Sequence, residues 1–221
     1  MSTPDEGKCA AEAEYPDTKE KRREKCAPVL LGEDGMMNPF TLLIKPAGAM
    51  CNLRCAYCFY LEKRALFPTW RMEDETLGQL VSSYMKTEQP QYVFAWQGGE
   101  PTMMGLPFFR RVVEVQKKYG RDKTVANALQ TNGTLIDGEF AAFLAEYRFL
   151  VGVSLDGDAA LHDTYRRDAD GAGTHARVLR GLKCLRAAGC ETNILTLVSS
   201  ANAAHGRDVY RYLTGEGYAY L

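Results

Sequence analysis

Neither charge sign dominates this chain of 221 residues, in which 27 lysines and arginines face 28 aspartates and glutamates. That balance offers no broad basic field for nucleic acid, and a nucleic-acid partner is not expected. No hydrophobic run approaches the roughly 18–20 apolar residues that a membrane span needs. The charged stretch from Met1 to Lys25 has no apolar segment of the kind a secretory signal requires. Histidine is scarce, at three residues, and the seven cysteines are an odd number. A disulfide framework is therefore a poor reading, since it also wants an exported chain. At 46% hydrophobic and 25% charged the composition is that of an ordinary globular protein. Free thiols without a leader predict a reducing, cytoplasmic setting.

Against these absences stands one dense motif, Cys51-Asn52-Leu53-Arg54-Cys55-Ala56-Tyr57-Cys58, directly after the apolar run 41–46. Iron–sulfur clusters are normally held by four cysteine thiolates. Three on one short loop, with no near fourth, point to a cluster with one iron open to a substrate or cofactor. A structural zinc site competes with this reading, but it needs four ligands, usually in two paired halves. No second half is visible, because Cys184 and Cys190 are separated by five residues and the histidines are scattered. Three buried structural thiols on a polar loop would make a poor core.

Residues 1–38 are rich in charge and proline and are expected to form a disordered extension, with Cys9 and Cys26 as exposed thiols. The domain expected to fold spans 39–221. Strands are predicted at 41–46, 92–97, 124–130, 149–155 and 192–198. Several are short continuous apolar runs, as in strands buried on both faces of a parallel sheet. Helices are predicted at 73–87, 107–119, 138–147, 175–188 and 203–215. Asp137 and Thr174 stand at N-cap positions, and Gly120 and Gly189 where helices should stop. Five strand–helix alternations predict an α/β fold with right-handed crossovers. The residues 217–221 read as the opening of a sixth strand, so the chain looks like part of a longer protein.

In parallel α/β folds, chemistry gathers at the carboxyl ends of strands. Here the cysteine loop follows the first strand and Gln97-Gly98-Gly99-Glu100-Pro101-Thr102 the second. Gln130-Thr131-Asn132-Gly133-Thr134 follows the third, and Ser154-Leu155-Asp156-Gly157 closes the fourth. Gly98 and Gly99 would let a ligand approach the backbone closely, and Glu100 would accept bonds from a cationic amine. A plain strand-to-helix turn is the alternative. Ser154 and Asp156 are candidates for a ribose or carboxylate, and Arg166 for clamping a carboxylate bidentately. These polar stretches also fit simple solvated turns. His162 is read as packing locally, and His175 and His205 are assigned no role.

The cysteine spacing, with Tyr57 before the last cysteine and Gly98-Gly99-Glu100-Pro101 after the next strand, resembles the radical S-adenosylmethionine (SAM) superfamily. Leu42–Pro46 leading into Cys51–Tyr60, then Gln97–Thr102, Gln130–Leu135, Ser154–Gly157, His162-Asp163 and Arg166, resemble the anaerobic sulfatase-maturating enzymes. The resemblance covers about residues 39–221. It implies a partial (β/α)6 TIM-like barrel ending at the start of strand 6. Cys51, Cys55 and Cys58 would ligate three irons of a [4Fe–4S] cluster, with SAM on the fourth. Gly99, within the SAM-binding turn Gly98-Gly99-Glu100, would take the methionyl amine through backbone groups, Tyr57 would touch the adenine through its backbone, and Ser154 and Arg166 would meet the ribose and carboxylate. Gln97 would face the peptide substrate.

The implied activity is reductive cleavage of SAM and oxidation of a Cys or Ser in a sulfatase to formylglycine. Its partners would be the sulfatase polypeptide and an electron donor such as flavodoxin or ferredoxin. Family members continue through a last barrel strand and a cysteine-rich SPASM-type domain that carries the proposed proton acceptor, so no catalytic acid or base is expected before Leu221. Other peptide-modifying members of this branch, forming thioether or other crosslinks, are an alternative. A non-catalytic iron–sulfur and SAM-binding fragment is another. Cys184 and Cys190 are expected to be buried core thiols.

Overall fold

The structure is a computed structural model that describes residues 38–63 and 71–221. The expectations for residues 1–37, Cys9 and Cys26 included, lie outside the described residues. Five strands follow one another as β1 (Leu42–Ile44), β2 (Tyr92–Trp96), β3 (Val125–Thr131), β4 (Leu150–Ser154) and β5 (Thr192–Leu195). Their order in space is their order in sequence, and every pairing is parallel. The sheet is open, a partial barrel. The predicted sixth strand is reduced to a single rung, in which Ile194 N–H donates to the Tyr220 carbonyl at 2.9 Å.

Among the described residues seven helices accompany the strands: α1 (Tyr60–Lys63), α2 (Asp74–Met85), α3 (Gly105–Tyr119), α4 (Gly138–Glu146), α5 (Ala159–Tyr165), α6 (His175–Ala187) and α7 (Gly206–Gly215). Single 3-10 turns at Pro101–Met104 and Ala203–His205 lead into α3 and α7. Among the described residues, no helix is long and apolar enough to cross a membrane.

The end signals act largely as read. Asp137 Oδ1 accepts from Phe140 N–H at 2.8 Å to cap α4, Gly120 closes α3, and Gly189 follows α6 with φ +70°. Thr174 is different. It occupies the N-cap position of α6, where its carbonyl accepts from Arg177 and Val178 N–H, but its side chain makes no capping bond. Asp163 does the capping instead, its Oδ1 accepting from the N–H groups of Thr174 and His175 at 2.7 and 2.9 Å. The stretch around His162 is likewise no solvated turn. It forms α5, capped by Asp158 Oδ1 on Leu161 N–H at 3.0 Å. Seven residues of mixed polarity hide such a helix, because they span too few turns for an apolar stripe to register.

The expectation of strands buried on both faces holds for the middle of β4, where Val151, Gly152 and Val153 are all buried, but needs correction for β2 and β3. In β2, Tyr92, Phe94 and Trp96 are buried while Val93 and Ala95 are only half-buried, and β3 alternates in the same way. One face carries the packed core. On it Trp96 meets Phe108 and Phe109 edge-on, with ring centroids 6.0 and 6.1 Å apart. The Trp96 indole N–H is satisfied by Asn127 Oδ1 at 2.9 Å, and Asn127 exchanges two amide bonds with Gln116. The other face bears Ala95, Ala126, Ala128 and Gly152, small residues that leave room, with Gln130 and Ser154 at its carboxyl end. Gln130 Nε2 donates to Ser154 Oγ at 3.2 Å across β3 and β4.

Candidate functional site

Ten of the eleven candidate residues read from the sequence line one cleft of about 200 Å³ at the carboxyl ends of the strands, and Asp156 is the exception. Cys51, Cys55, Cys58 and Tyr57 come from the loop after β1, and Gln97, Gly98, Gly99 and Glu100 from the turn after β2. Ser154 ends β4, and Arg166 leaves α5. Gln130, Thr131 and Asn132 of the third motif, to which no role was assigned, also line the cleft.

The cysteine loop has almost no regular structure of its own, so its backbone is held from outside. Leu53 forms an isolated bridge with Asp168. Arg54 N–H donates to the Arg167 carbonyl at 2.8 Å and Ala56 N–H to that of Tyr165 at 3.0 Å. The segment leaving α5 thus serves as a splint for the loop leaving β1. On the other side Glu100 N–H donates to the Met50 carbonyl at 2.7 Å.

That contact explains the paired glycines. Gly98 and Gly99 have φ of +80° and +53°. A Cβ on Gly99 would stand 2.2 Å from Met50 O and 2.9 Å from Gly48 O. The close approach that Gly99 allows is therefore made by the chain's own backbone just before the first cysteine, whereas a Cβ on Gly98 would stand 2.6 Å from the Lys45 side chain. Glu100 has partners within the protein. It is 1% exposed, and Oε1 accepts from Thr102 N–H, Thr102 Oγ1 and Thr131 Oγ1 at 3.0, 2.7 and 2.7 Å. Oε2 accepts from Asn132 N–H at 2.7 Å. These donors, three on Oε1 and one on Oε2, tie the β2 turn to the β3 turn through Glu100 at the wall of the cleft. Burial raises its pKa against the pull of those donors.

Arg166 does clamp a carboxylate, but an internal one. Its Nε and Nη2 donate to Asp156 Oδ2 and Oδ1 at 2.7 and 3.3 Å. Asp156 Oδ2 also accepts from the Tyr57 hydroxyl at 2.7 Å, and Oδ1 from Leu197 N–H at 2.9 Å. One buried carboxylate thereby joins the cysteine loop, the end of α5 and the segment after β5. The guanidinium also lies over the Tyr57 ring, 5.4 Å from its centroid. Burial pushes the Tyr57 hydroxyl far above its ordinary range, so it stays a proton donor.

His162 lies behind this network and is fully buried. Its Nδ1 accepts from Asp156 N–H at 3.2 Å, which puts the ring proton on Nε2, 3.1 Å from Thr174 Oγ1. Thr174 passes its own hydroxyl proton to the Arg166 carbonyl at 2.8 Å. Burial and the neighbouring guanidinium lower the His162 pKa to about 4, so the imidazole is neutral and acts as scaffolding. His175 packs against Tyr212, with Nε2 2.9 Å from its hydroxyl.

The three loop cysteines are thiols and not disulfides. Burial raises the Cys55 pKa, with Arg166 opposing. Among the described residues no three His, Cys, Asp or Glu side chains converge as they would on a single metal ion, which counts against mononuclear zinc. A cluster of several irons makes a different demand, since each thiolate ligates its own iron and the sulfurs need not meet at one point. Three soft sulfur donors on one loop, over a cleft with no fourth cysteine in its lining, suit such a group. Cys190 is a buried core thiol, its Sγ donating to the Phe149 carbonyl at 3.6 Å. Cys184 is only half-buried, because it sits on the flank of α6.

Comparison with known proteins places this geometry. A family model described as the Radical SAM superfamily matches residues 46–213. A serine-type anaerobic sulfatase-maturating enzyme from Bacteroides thetaiotaomicron is 40% identical over 178 residues, 79% of this chain and 43% of that protein. A cysteine-type anaerobic sulfatase-maturating enzyme from Clostridium perfringens is 41% identical over 189 residues, 84% of this chain and 51% of that protein. The chain thus spans about half the length of the curated relatives it matches. Among solved structures, native anSMEcpe with bound AdoMet and Cp18Cys peptide aligns with a TM-score of 0.77 at 40% identity. That alignment covers 83% of this chain and 50% of the other. Streptococcus suis SuiB bound to precursor peptide SuiA, at 14% identity and a TM-score of 0.60, shares the fold alone.

Proposed function

The chain belongs to the radical SAM superfamily, and we propose that it is the SAM-cleaving part of an anaerobic sulfatase maturase. Enzymes of the superfamily use a [4Fe–4S] cluster and SAM, and the matched anSMEcpe structures carry bound AdoMet. In the proposed assignment Cys51, Cys55 and Cys58 hold three irons, and SAM occupies the cleft beside them. When bound, the cluster supplies the electron for reductive cleavage of SAM and so the means of abstracting hydrogen from the target residue.

The chain's own residues position and shield. Gly99 keeps the β2 turn pressed against the backbone of Gly48 and Met50, and Gly98 packs against the Lys45 side chain. Tyr57 carries the backbone between Cys55 and Cys58 and anchors it through its hydroxyl to Asp156. Ser154, at the end of β4, offers a hydroxyl on the open face of the sheet, where a ribose would be met. Arg166, held at Nε and Nη2 by Asp156, contributes positive charge to the cleft wall more than a free clamp. Gln97 borders the mouth, where a sulfatase polypeptide carrying the target Cys or Ser would enter. The electron would come from a small redox protein such as flavodoxin or ferredoxin, in the cytoplasm.

The observation that carries this reading is the convergence of three cysteine thiols, the glycine turn and the β4 terminus on one cleft. Anaerobic reconstitution with iron and sulfide, followed by measurement of bound iron and of 5′-deoxyadenosine formed from SAM under reduction, tests it. Replacing Cys51, Cys55 or Cys58 by Ala should abolish both signals, whereas Cys184→Ala should leave both near wild type. A Cys55 variant that keeps its cluster, or a Cys184 variant that loses it, would refute the ligand assignment. Incubating the protein with a sulfatase-motif peptide then reads the substrate: oxidation to the aldehyde supports maturation, and an internal crosslink speaks against it.

A further inference from the structure

The motif after β3 has so far no chemical role, yet one of its side chains reaches a cysteine sulfur. Asn132 Nδ2 lies 3.7 Å from Cys51 Sγ. The direction of this amide is fixed by its other bonds. Asn132 Oδ1 accepts from Thr134 N–H at 3.0 Å and from Thr134 Oγ1 at 2.7 Å, so the oxygen faces Thr134 and the NH2 faces the cysteine loop. The same NH2 donates to Asn52 Oδ1 at 2.9 Å, and Asn52 Nδ2 donates to Thr134 Oγ1 at 2.8 Å, closing a ring of bonds around the sulfur. Asn132 is 7% exposed and its backbone N–H is held by the buried Glu100. Neither its position nor its amide orientation is free to drift. A second N–H, from Leu53, meets the same sulfur at 3.3 Å.

We propose that Asn132 is a positioning and tuning residue for the cluster, donating a hydrogen bond to the Cys51 thiolate that makes the cluster easier to reduce. The inference rests on Cys51 being a ligand. Hydrogen bonds to ligand sulfurs are among the factors that set iron–sulfur potentials. The positive end of an N–H dipole at a thiolate stabilises the form that carries the extra electron, so removing it lowers the potential. A buried donor acts more strongly than an exposed one, because little water competes for the sulfur. The motif would then act on the electron-transfer step from beside Cys51, which needs no contact with SAM or peptide.

The test is a redox titration of the reconstituted chain without SAM, comparing wild type with Asn132→Ala and Asn132→Asp. Asn132→Asp keeps the oxygen that binds Thr134, and so the shape of the ring, while replacing the donor by an acceptor. At the potential that half-reduces the wild-type cluster, the reduced-to-oxidised ratio should fall roughly three- to tenfold in Asn132→Ala and further in Asn132→Asp. Cluster-loaded variants with the wild-type midpoint would overturn the proposal. So would loss of the cluster from both variants, because Asn132 would then be only a support for the loop. If the wild-type chain itself takes up no cluster, or Cys51→Ala keeps one, the assignment of Cys51 is what has failed.

Discussion

Glu100 organises the β2–β3 half of the rim with four neutral donors, whereas Asp156 organises the β4–β5 half with a guanidinium, a phenol and a backbone N–H. Both carboxylates are almost fully buried, at 1% and 4% exposure. The cysteine loop straddles the two halves: Cys51 leans on the Glu100–Asn132 side, and Tyr57, between Cys55 and Cys58, on the Asp156 side. The two solutions differ in what fails when one partner is removed. A carboxylate among neutral donors leaves unpaired dipoles when it is lost, but an ion pair leaves a buried charge. The β4–β5 half should therefore be the more brittle.

The sharpest way to break the comparison is Asp156→Ala. It strands the Arg166 guanidinium, which is 8% exposed, and should cost about 3–5 kcal/mol in denaturant unfolding. A loss no greater than that of the Glu100 variant below would erase the distinction.

Acid probes the same half without mutation. His162 is neutral in the fold with a pKa of about 4, against an ordinary value of 6.5. Between those pH values the unfolded chain binds a proton that the folded one refuses, so stability falls as pH drops from 6.5 toward 4, and is unaffected by this group above 6.5. Fully developed, the penalty is about 3 kcal/mol. A His162→Gln variant keeps an acceptor for the Asp156 N–H and should show a correspondingly flatter pH dependence in the same unfolding assay. An unchanged slope would mean that the pH dependence comes from other groups.

Glu100→Gln gives the smaller effect. It keeps the shape but turns an NH2 group toward a cluster of donors, which should cost about 1–3 kcal/mol. Because Asn132 N–H is one of those donors, the variant should also loosen the β3 turn against Cys51. Hydrogen exchange at residues 131–134 would detect this, and unchanged protection there would separate Glu100 from the cysteine loop.

The sequence carried much of this. Strand–helix alternation, the Asp137 cap and the Gly120 and Gly189 stops follow from chemistry within a few residues, and the structure realises them. The clustering of functional residues was also legible, because a parallel sheet must place its loops on one rim. Other features escaped. The α5 helix is too short to show a stripe, and Thr174 lost its cap role to Asp163, eleven residues away. The third motif stood out by composition, but nothing in it says that Asn132 reaches Cys51.

Residue types and spacing alone determined which chemistry this chain can hold: three thiolates on one loop, polar strand ends, no competing ligand set. Tertiary structure alone decided which polar groups are left to face a ligand. Glu100 and Arg166 read as ligand contacts in a linear chain, but folding brings each against partners of its own. A buried charge must find such partners within hydrogen-bonding distance; Thr102 gives Glu100 two of them locally, but Thr131, Asn132 and, for Arg166, Asp156 come from other strands' ends, 10 to 32 residues away.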